Sequence, residues 1–115
     1  MLNILSDFTA DDFSEQEQEL LAFSKGRVVR IVSFGNTSPQ GFWYEQTEDE
    51  WVVVLSGVGE IEWADGAKLR LEQSDNVFIP ANKKHRVSYT SSNPPCIWLA
   101  IYGQIKMEDK ICTKE

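Results

Sequence analysis

The stretch Glu50-Trp-Val-Val-Val-Leu-Ser-Gly57 decides the fold of this 115-residue chain. Its β-branched and aromatic residues favour a β-strand, and Gly57 is typical of the turn that follows a strand. Val52 and Val54 are apolar, and so are the residues that alternate with them. A strand of an antiparallel sheet with one face in water should instead alternate apolar and polar residues. We therefore expect this strand to be covered on both faces.

Seven further segments on either side of this stretch also have the pattern of short strands. Turn residues such as Ser38-Pro39 separate them, and Asp65-Gly66 predicts a tight hairpin. Strands at a spacing of about 8–12 residues indicate an all-β barrel or sandwich rather than alternating helices and strands. The expected strands are 27–34, 41–46, 60–63, 67–71, 76–79, 85–90 and 96–102.

One short helix is expected ahead of these strands, over residues 15–23. Ser14 and Glu17 match a capping box, in which each side chain satisfies a backbone amide of the first helical turn. Gly26 would end the helix. The expected organisation is an N-terminal arm with this helix over 1–26, a β-barrel over 27–102, and a tail or edge strand over 103–115.

The charge and hydropathy of the chain restrict its possible cellular location and its possible binding partners. The formal net charge of -7 argues against a nucleic-acid partner, because phosphate binding needs clustered Lys and Arg. No apolar run reaches the roughly 18 residues that span a bilayer, so no membrane association is expected. The N-terminus lacks the basic and apolar regions of a secretion signal. These features predict a cytoplasmic protein.

The two cysteines, Cys96 and Cys112, are too far apart in sequence to suggest a metal-binding pair. In a reducing compartment they are expected to be free thiols. Cys96 begins an apolar run and is predicted to lie in the core. The charged residues around Cys112 suggest no role for it.

Over residues 35–102 the chain resembles the cupin superfamily of small jelly-roll barrels, also called double-stranded β-helices. Glu50 and Gly57 match the carboxylate and glycine of the first cupin motif, and Pro80 and His85 match the proline and histidine of the second. Asn82 replaces the glycine of the second motif, but asparagine tolerates the left-handed backbone expected there. The resemblance implies a small barrel with a metal site inside it.

The chain departs from the cupin pattern where the first motif has two histidines. Residues 44–46 read Tyr-Glu-Gln instead of His-x-His, so His85 is the only histidine. The sequences of residues 41–46 (Gly-Phe-Trp-Tyr-Glu-Gln) and 48–51 (Glu-Asp-Glu-Trp) also resemble those of a group of small bacterial cupins. No established activity follows from that similarity.

The spacing of residues 44–50 predicts which side chains would form a site. If Thr47 to Asp49 form a three-residue hairpin loop, Gln46 stands opposite Glu50, and Tyr44 shares their face of the sheet. A four-residue loop would bring Glu45 opposite Glu50 instead and would place two like charges together. The expected ligand-binding residues are Tyr44, Gln46, Glu50 and His85.

Gln46, Glu50 and His85 are also the expected ligands of a divalent metal ion, if one is bound. One imidazole and one carboxylate suit Zn, Ni, Mn or Fe without selecting among them. The chemistry of the predicted pocket could be carried by His85, Tyr44 and Glu50. Whether the protein contains a metal ion or none is left open at this point.

Three functions are compatible with these residues. The first is a cupin that binds a small molecule, with or without a metal ion, and has a degenerate metal site inside the barrel and no strong catalysis. The second is a metal-dependent enzyme of the dioxygenase or isomerase type, with Glu50 and His85 holding the metal ion. The third is metal-free acid–base chemistry, with His85 as base and Tyr44 as acid, as in cupin-like sugar epimerases. A homodimer is expected as well, because 50–56 and 96–102 are apolar on both faces.

Overall fold

Eight β-strands form the regular structure of residues 1–9 and 13–108, which are the residues that the computed structural model describes. No helix occurs in this part of the chain, and therefore none that could cross a membrane. The strands are β1 (Gln16–Phe23), β2 (Gly26–Ser33), β3 (Asp49–Ser56), β4 (Gly59–Trp63), β5 (Lys68–Leu71), β6 (Asn76–Ile79), β7 (His85–Thr90) and β8 (Cys96–Gly103).

Two antiparallel sheets enclose the core. The larger sheet has the strand order β1-β2-β8-β3-β6, and the smaller has the order β5-β4-β7. The buried core combines residues of both sheets, including Val54 of β3, Leu71 of β5 and Cys96 of β8, each with no exposed surface. The predicted all-β jelly-roll architecture and the core position of Cys96 are therefore confirmed. Cys112 lies outside the described residues.

The predicted N-terminal helix is wrong, because the segment forms strand β1. This strand pairs antiparallel with β2, with Gln16 opposite Val32 and Phe23 opposite Gly26. Glu, Gln, Leu and Ala favour helices only by tenths of a kcal/mol per residue, roughly. The backbone hydrogen bonds to β2 outweigh that preference. Glu15, which the helix would have begun with, accepts a hydrogen bond from the Ser33 hydroxyl at 2.9 Å.

Six of the other predicted strands match β2 and β4 to β8 closely, but residues 41–46 do not form one. In this segment only Tyr44 forms an isolated bridge, which pairs it with His85. The Asp65-Gly66 hairpin between β4 and β5 is confirmed, and Asn82 has the left-handed conformation expected of it, with φ of 67°. The turn that precedes His85 therefore forms without glycine.

Strands β3 and β8 are apolar on both faces, and the two faces differ in their surroundings. One face of each strand points between the sheets and is buried. The other points away from the smaller sheet, and we call it the outer face. The N-terminal arm reaches this face at β2, where the Ile4 carbonyl accepts a hydrogen bond from Arg30 at 3.2 Å. The half-buried outer side chains of β3 and β8 are Trp51, Val53, Leu55, Leu99 and Ile101.

Candidate functional site

A pocket with a volume of about 80 Å³ lies between the two sheets. Its floor and walls come from strands β2, β3, β4, β7 and β8, and the segment leading into β1 stands at its opening. The apolar lining consists of Ile31, Val52, Ile61, Val87 and Trp98. The polar lining consists of Glu15, Glu17, Tyr44, Gln46, Glu50, His85 and Tyr102.

The structure brings together all four side chains expected to bind a ligand. Glu50 points into the pocket because strand alternation puts it on the same face as Val52 and Val54, which lie in the core. His85 is the first residue of β7 and points inward from the Pro80 turn. Backbone hydrogen bonds in both directions, of 2.7 and 3.1 Å, fix Tyr44 beside His85.

Glu50 is the centre of the polar contacts in the pocket. Only 7% of the residue is exposed, and a buried carboxylate needs hydrogen-bond donors. The Gln46 side-chain amide donates to its Oε1 at 3.0 Å, and Tyr102 lies opposite Glu50 on the neighbouring strand β8. Gln46 therefore reaches Glu50 from an irregular segment, although the two residues are not paired across a hairpin. Tyr102 and Ile79 are the strand partners of Glu50.

His85 is held in an orientation that exposes one ring nitrogen to Glu50. Its Nδ1 lies 2.9 Å from the Lys83 carbonyl oxygen, which only accepts hydrogen bonds, so Nδ1 carries a proton. In the neutral ring, Nε2 then has a free lone pair. This atom lies 3.6 Å from Glu50 Oε1, too far for a direct hydrogen bond. In that neutral form the Nε2 lone pair faces a carboxylate oxygen, and a donor atom of a ligand placed near both would satisfy both acceptors.

Two tyrosines flank this pair. The Tyr44 ring stacks on the His85 ring, with centroids 5.6 Å apart and an interplanar angle of 25°. Burial raises the pKa of Tyr44, and the charges of Glu15, Glu17 and Glu50 raise it further. Burial likewise raises the pKa of Tyr102, with added effects of Glu50 and Glu17. Both hydroxyls therefore stay neutral at physiological pH and can donate hydrogen bonds.

The sequence did not identify Tyr102, Glu15, Glu17 or Trp98 as pocket residues. Tyr102 faces Glu50 only because β8 lies beside β3 in the sheet, and no local pattern specifies that neighbour. Glu15 and Glu17 were assigned to a helix, which would not have carried them to the pocket. The one available signal was the absence of a polar face in residues 97–102, which indicated that both faces of the strand are covered but not which of its residues face the pocket.

Gln46, Glu50 and His85 meet in the pocket, but they do not fit a tightly held metal ion. Metal sites in proteins usually have three or more His, Cys, Asp or Glu ligands. Within residues 1–9 and 13–108 no group of three such side chains could hold a metal ion. The Glu50 oxygen nearest His85 already accepts the hydrogen bond from Gln46. The pocket is therefore arranged as a hydrogen-bonded set of side chains.

Comparison with known proteins identifies the family. The model of the Cupin domain family matches residues 34–102. A solved structure from Ralstonia eutropha JMP134, provisionally described as a mannose-6-phosphate isomerase, is 36% identical with a TM-score of 0.84. That match covers 91% of this chain and 98% of the other. No curated protein matches the chain.

Two more distant structures share the fold. An RmlC-like cupin from Desulfovibrio desulfuricans is 17% identical with a TM-score of 0.72, over 90% of this chain and 94% of the other. KdgF from Halomonas sp. is 17% identical with a TM-score of 0.69, over 91% and 94% of the two chains. The family model covers more than half of the sequence, and the solved structures above share the fold. The chain belongs to the cupin family.

Proposed function

We propose that this cupin binds a small organic molecule in the pocket between its sheets, with Glu50 and His85 as the groups that recognise it. The observation that carries the proposal is the facing pair itself. Glu50 and His85 are 7% and 4% exposed, and Glu50 Oε1 lies 3.6 Å from His85 Nε2, which is an acceptor when the ring is neutral. A ligand N–H or O–H group near both atoms would satisfy them together.

The size and lining of the pocket support a ligand of modest size. A water molecule needs about 10–15 Å³ by the same measure of volume, so 80 Å³ has room for several ligand atoms. Apolar walls with a few convergent polar groups are typical of small-molecule sites. Tyr44, 38% exposed, stands at the side of the pocket and can close over a ligand ring or chain.

Binding can be tested with a panel of sugars, hydroxy acids and amines, followed by thermal shift and isothermal titration calorimetry. We expect at least one compound to raise the melting temperature of the wild-type protein. Glu50→Gln and His85→Ala should each weaken its binding about tenfold or more, because each removes a buried hydrogen-bond partner. Glu72→Gln, the same change at an exposed residue, is the matched control. Compounds that bind the wild-type protein and all three variants with equal affinity would contradict the proposal.

Metal-free acid–base catalysis is a second function that one observation favours. The Lys83 carbonyl fixes the tautomer of His85, so that Nε2 is the atom able to take a proton, and Glu50 lies where it would stabilise the resulting imidazolium. Tyr44, kept neutral by burial, is the available acid. If a ligand of the panel exchanges a carbon-bound proton for deuterium in D₂O, His85→Gln should abolish the exchange, whereas catalysis without His85 would leave it intact.

A metal-dependent enzyme receives less support from the pocket, and this leads to a definite expectation. Protein purified without chelators should contain well under one equivalent of Zn, Ni, Mn or Fe, because one imidazole, one carboxylate and an amide form a weak donor set. Elemental analysis by mass spectrometry measures this content directly. A full equivalent of one metal that is lost in His85→Ala would instead establish a metal site.

A further inference from the structure

The acidic lining of the pocket suggests which ligands the protein selects, provided that the proposed small-molecule function holds. Glu50 lies inside the pocket, and Glu15 and Glu17 stand exposed at its opening. Among the described residues, no Lys or Arg lines the pocket. His85 is therefore the only lining group that can become positive. Three carboxylates and one imidazole give the site a negative charge.

The nearest cations outside the lining are already engaged. The Arg27 guanidinium lies over the Tyr102 ring at 4.5 Å, but it forms a 2.8 Å ion pair with Glu48. The Lys83 ammonium lies over the Trp63 ring, 4.1 Å from its centre, and Lys83 is not among the lining residues. Neither side chain offers an anionic ligand a partner inside the pocket. A phosphate group in the pocket would therefore approach three carboxylates with no positively charged side chain to bind it.

The raised pKa values of Tyr44 and Tyr102 are a second indication that the electrostatic potential in the pocket is negative. The two tyrosines belong to different parts of the pocket, since Tyr44 stacks on His85 and Tyr102 lies opposite Glu50 on strand β8. In both, neighbouring carboxylates reinforce burial in raising the pKa of the hydroxyl. A field that opposes a phenolate also opposes an anionic ligand at the same position. The same negative potential stabilises a cationic ligand.

Position and geometry match an ammonium group in particular. An ammonium group has three N–H donors and no acceptor, whereas Glu50 Oε1 and the Nε2 atom of neutral His85 are two acceptors 3.6 Å apart. The rings of Tyr44, Trp98 and Tyr102 line the pocket and can add cation–π attraction. We propose that the pocket is selective for small organic amines, whose ammonium group is held between Glu50 and His85, and that it rejects phosphorylated compounds.

This specificity differs from the one suggested by the name of the Ralstonia relative. Mannosamine, mannose and mannose 6-phosphate share a ring but are cationic, neutral and anionic, so they isolate the effect of charge. A smaller series, 2-amino-1,3-propanediol, glycerol and glycerol 3-phosphate, keeps the same charges with fewer atoms. Both series can be titrated into chelator-treated protein and followed by calorimetry and by NMR of the single histidine.

We expect the amine of at least one series to bind about tenfold or more tightly than its neutral counterpart, because hydrogen bonds to charged groups are the stronger ones. The phosphate esters should show no binding at millimolar concentration. Equal binding of amine and neutral compound, tighter binding of a phosphate ester, or no binding of either amine would each overturn the proposal. A neutral or phosphorylated compound that shifts the His85 signals and binds at least as tightly as the amine would leave the proposed function standing while this specificity falls.

Variants of strand β1 separate a charge effect from a change in structure. Glu17→Gln keeps the shape of a residue at the opening, next to the pocket residue Ile31. It should weaken amine binding about threefold, a small effect because exposed charges are screened. Glu19→Gln makes the same change two residues further along β1, outside the pocket lining, and should leave binding unchanged. Equal effects of the two variants would contradict a role of Glu17 in the pocket.

Discussion

Replacing Gly57 by alanine should lower the free energy of unfolding by about 3 kcal/mol or more, which would leave a domain of ordinary stability barely folded. Gly57 has φ of +75°, a conformation that strains any residue with a side chain. An added Cβ would also lie 2.4 Å from the Pro95 carbonyl oxygen and 2.9 Å from the Cys96 Cα. Both are backbone atoms, so the clash can be relieved only by moving the start of β8.

Gly66→Ala is the matched control for this prediction. Gly66 also has a positive φ, of +92°, but an added Cβ there would meet no atom within 4 Å. The variant should cost only the backbone strain, about 1 kcal/mol. Urea unfolding followed by tryptophan fluorescence gives both values. Similar losses in the two variants would mean that the contact between Gly57 and the beginning of β8 is not as close as described.

Homodimerisation through the outer face is the second large effect that we expect. The inner faces of β3 and β8 are covered by the smaller sheet, whereas Trp51, Val53 and Leu99 on the outer face are apolar and half-buried. The N-terminal arm covers the neighbouring strand at Arg30. We propose that a second copy of the chain covers the remainder. Light scattering after size exclusion should give about twice the chain mass of 13.1 kDa.

Val53→Lys should convert this dimer into a monomer. The lysine would place an unpaired ammonium group at the centre of an apolar interface, where desolvation costs several kcal/mol, roughly. Tyr89→Lys is the control, because Tyr89 is 46% exposed on strand β7 of the other sheet. Circular dichroism should be unchanged in both variants. A wild-type monomer at tens of micromolar, or a dimer that persists in Val53→Lys, would exclude this interface.

Strand periodicity predicted the barrel because its signals are local. The β-branched residues of β3, the Asp65-Gly66 turn and the Pro80 turn each specify their own conformation, and the larger architecture follows from their spacing. The same alternation correctly placed Glu50 on an inward face. His85 could be placed beside it only through the resemblance to the cupins, because 34 residues of chain separate the two.

The errors arise where pairing with another strand, rather than local composition, decides the structure. Residues 16–23 have a composition that suits a helix, and only pairing with β2 makes them a strand. Residues 41–46 have a strand pattern but form just one bridge, which pairs Tyr44 with His85. Tyr102 becomes a partner of Glu50 through the order of strands in the sheet. The order of strands cannot be predicted from local spacing. The acidic opening of the pocket was not predicted either, because Glu15 and Glu17 were expected in a helix.

The central claim is that Glu50 and His85 together recognise a ligand, and NMR of the His85 ring tests it most directly. Because His85 is the only histidine, untagged protein labelled with ¹⁵N gives ring signals that need no assignment. The account predicts a proton on Nδ1, and ring signals that shift when a compound of the panel is added to the wild-type protein but not to Glu50→Gln. A ligand that shifts backbone signals while the His85 ring signals stay unchanged would contradict the account.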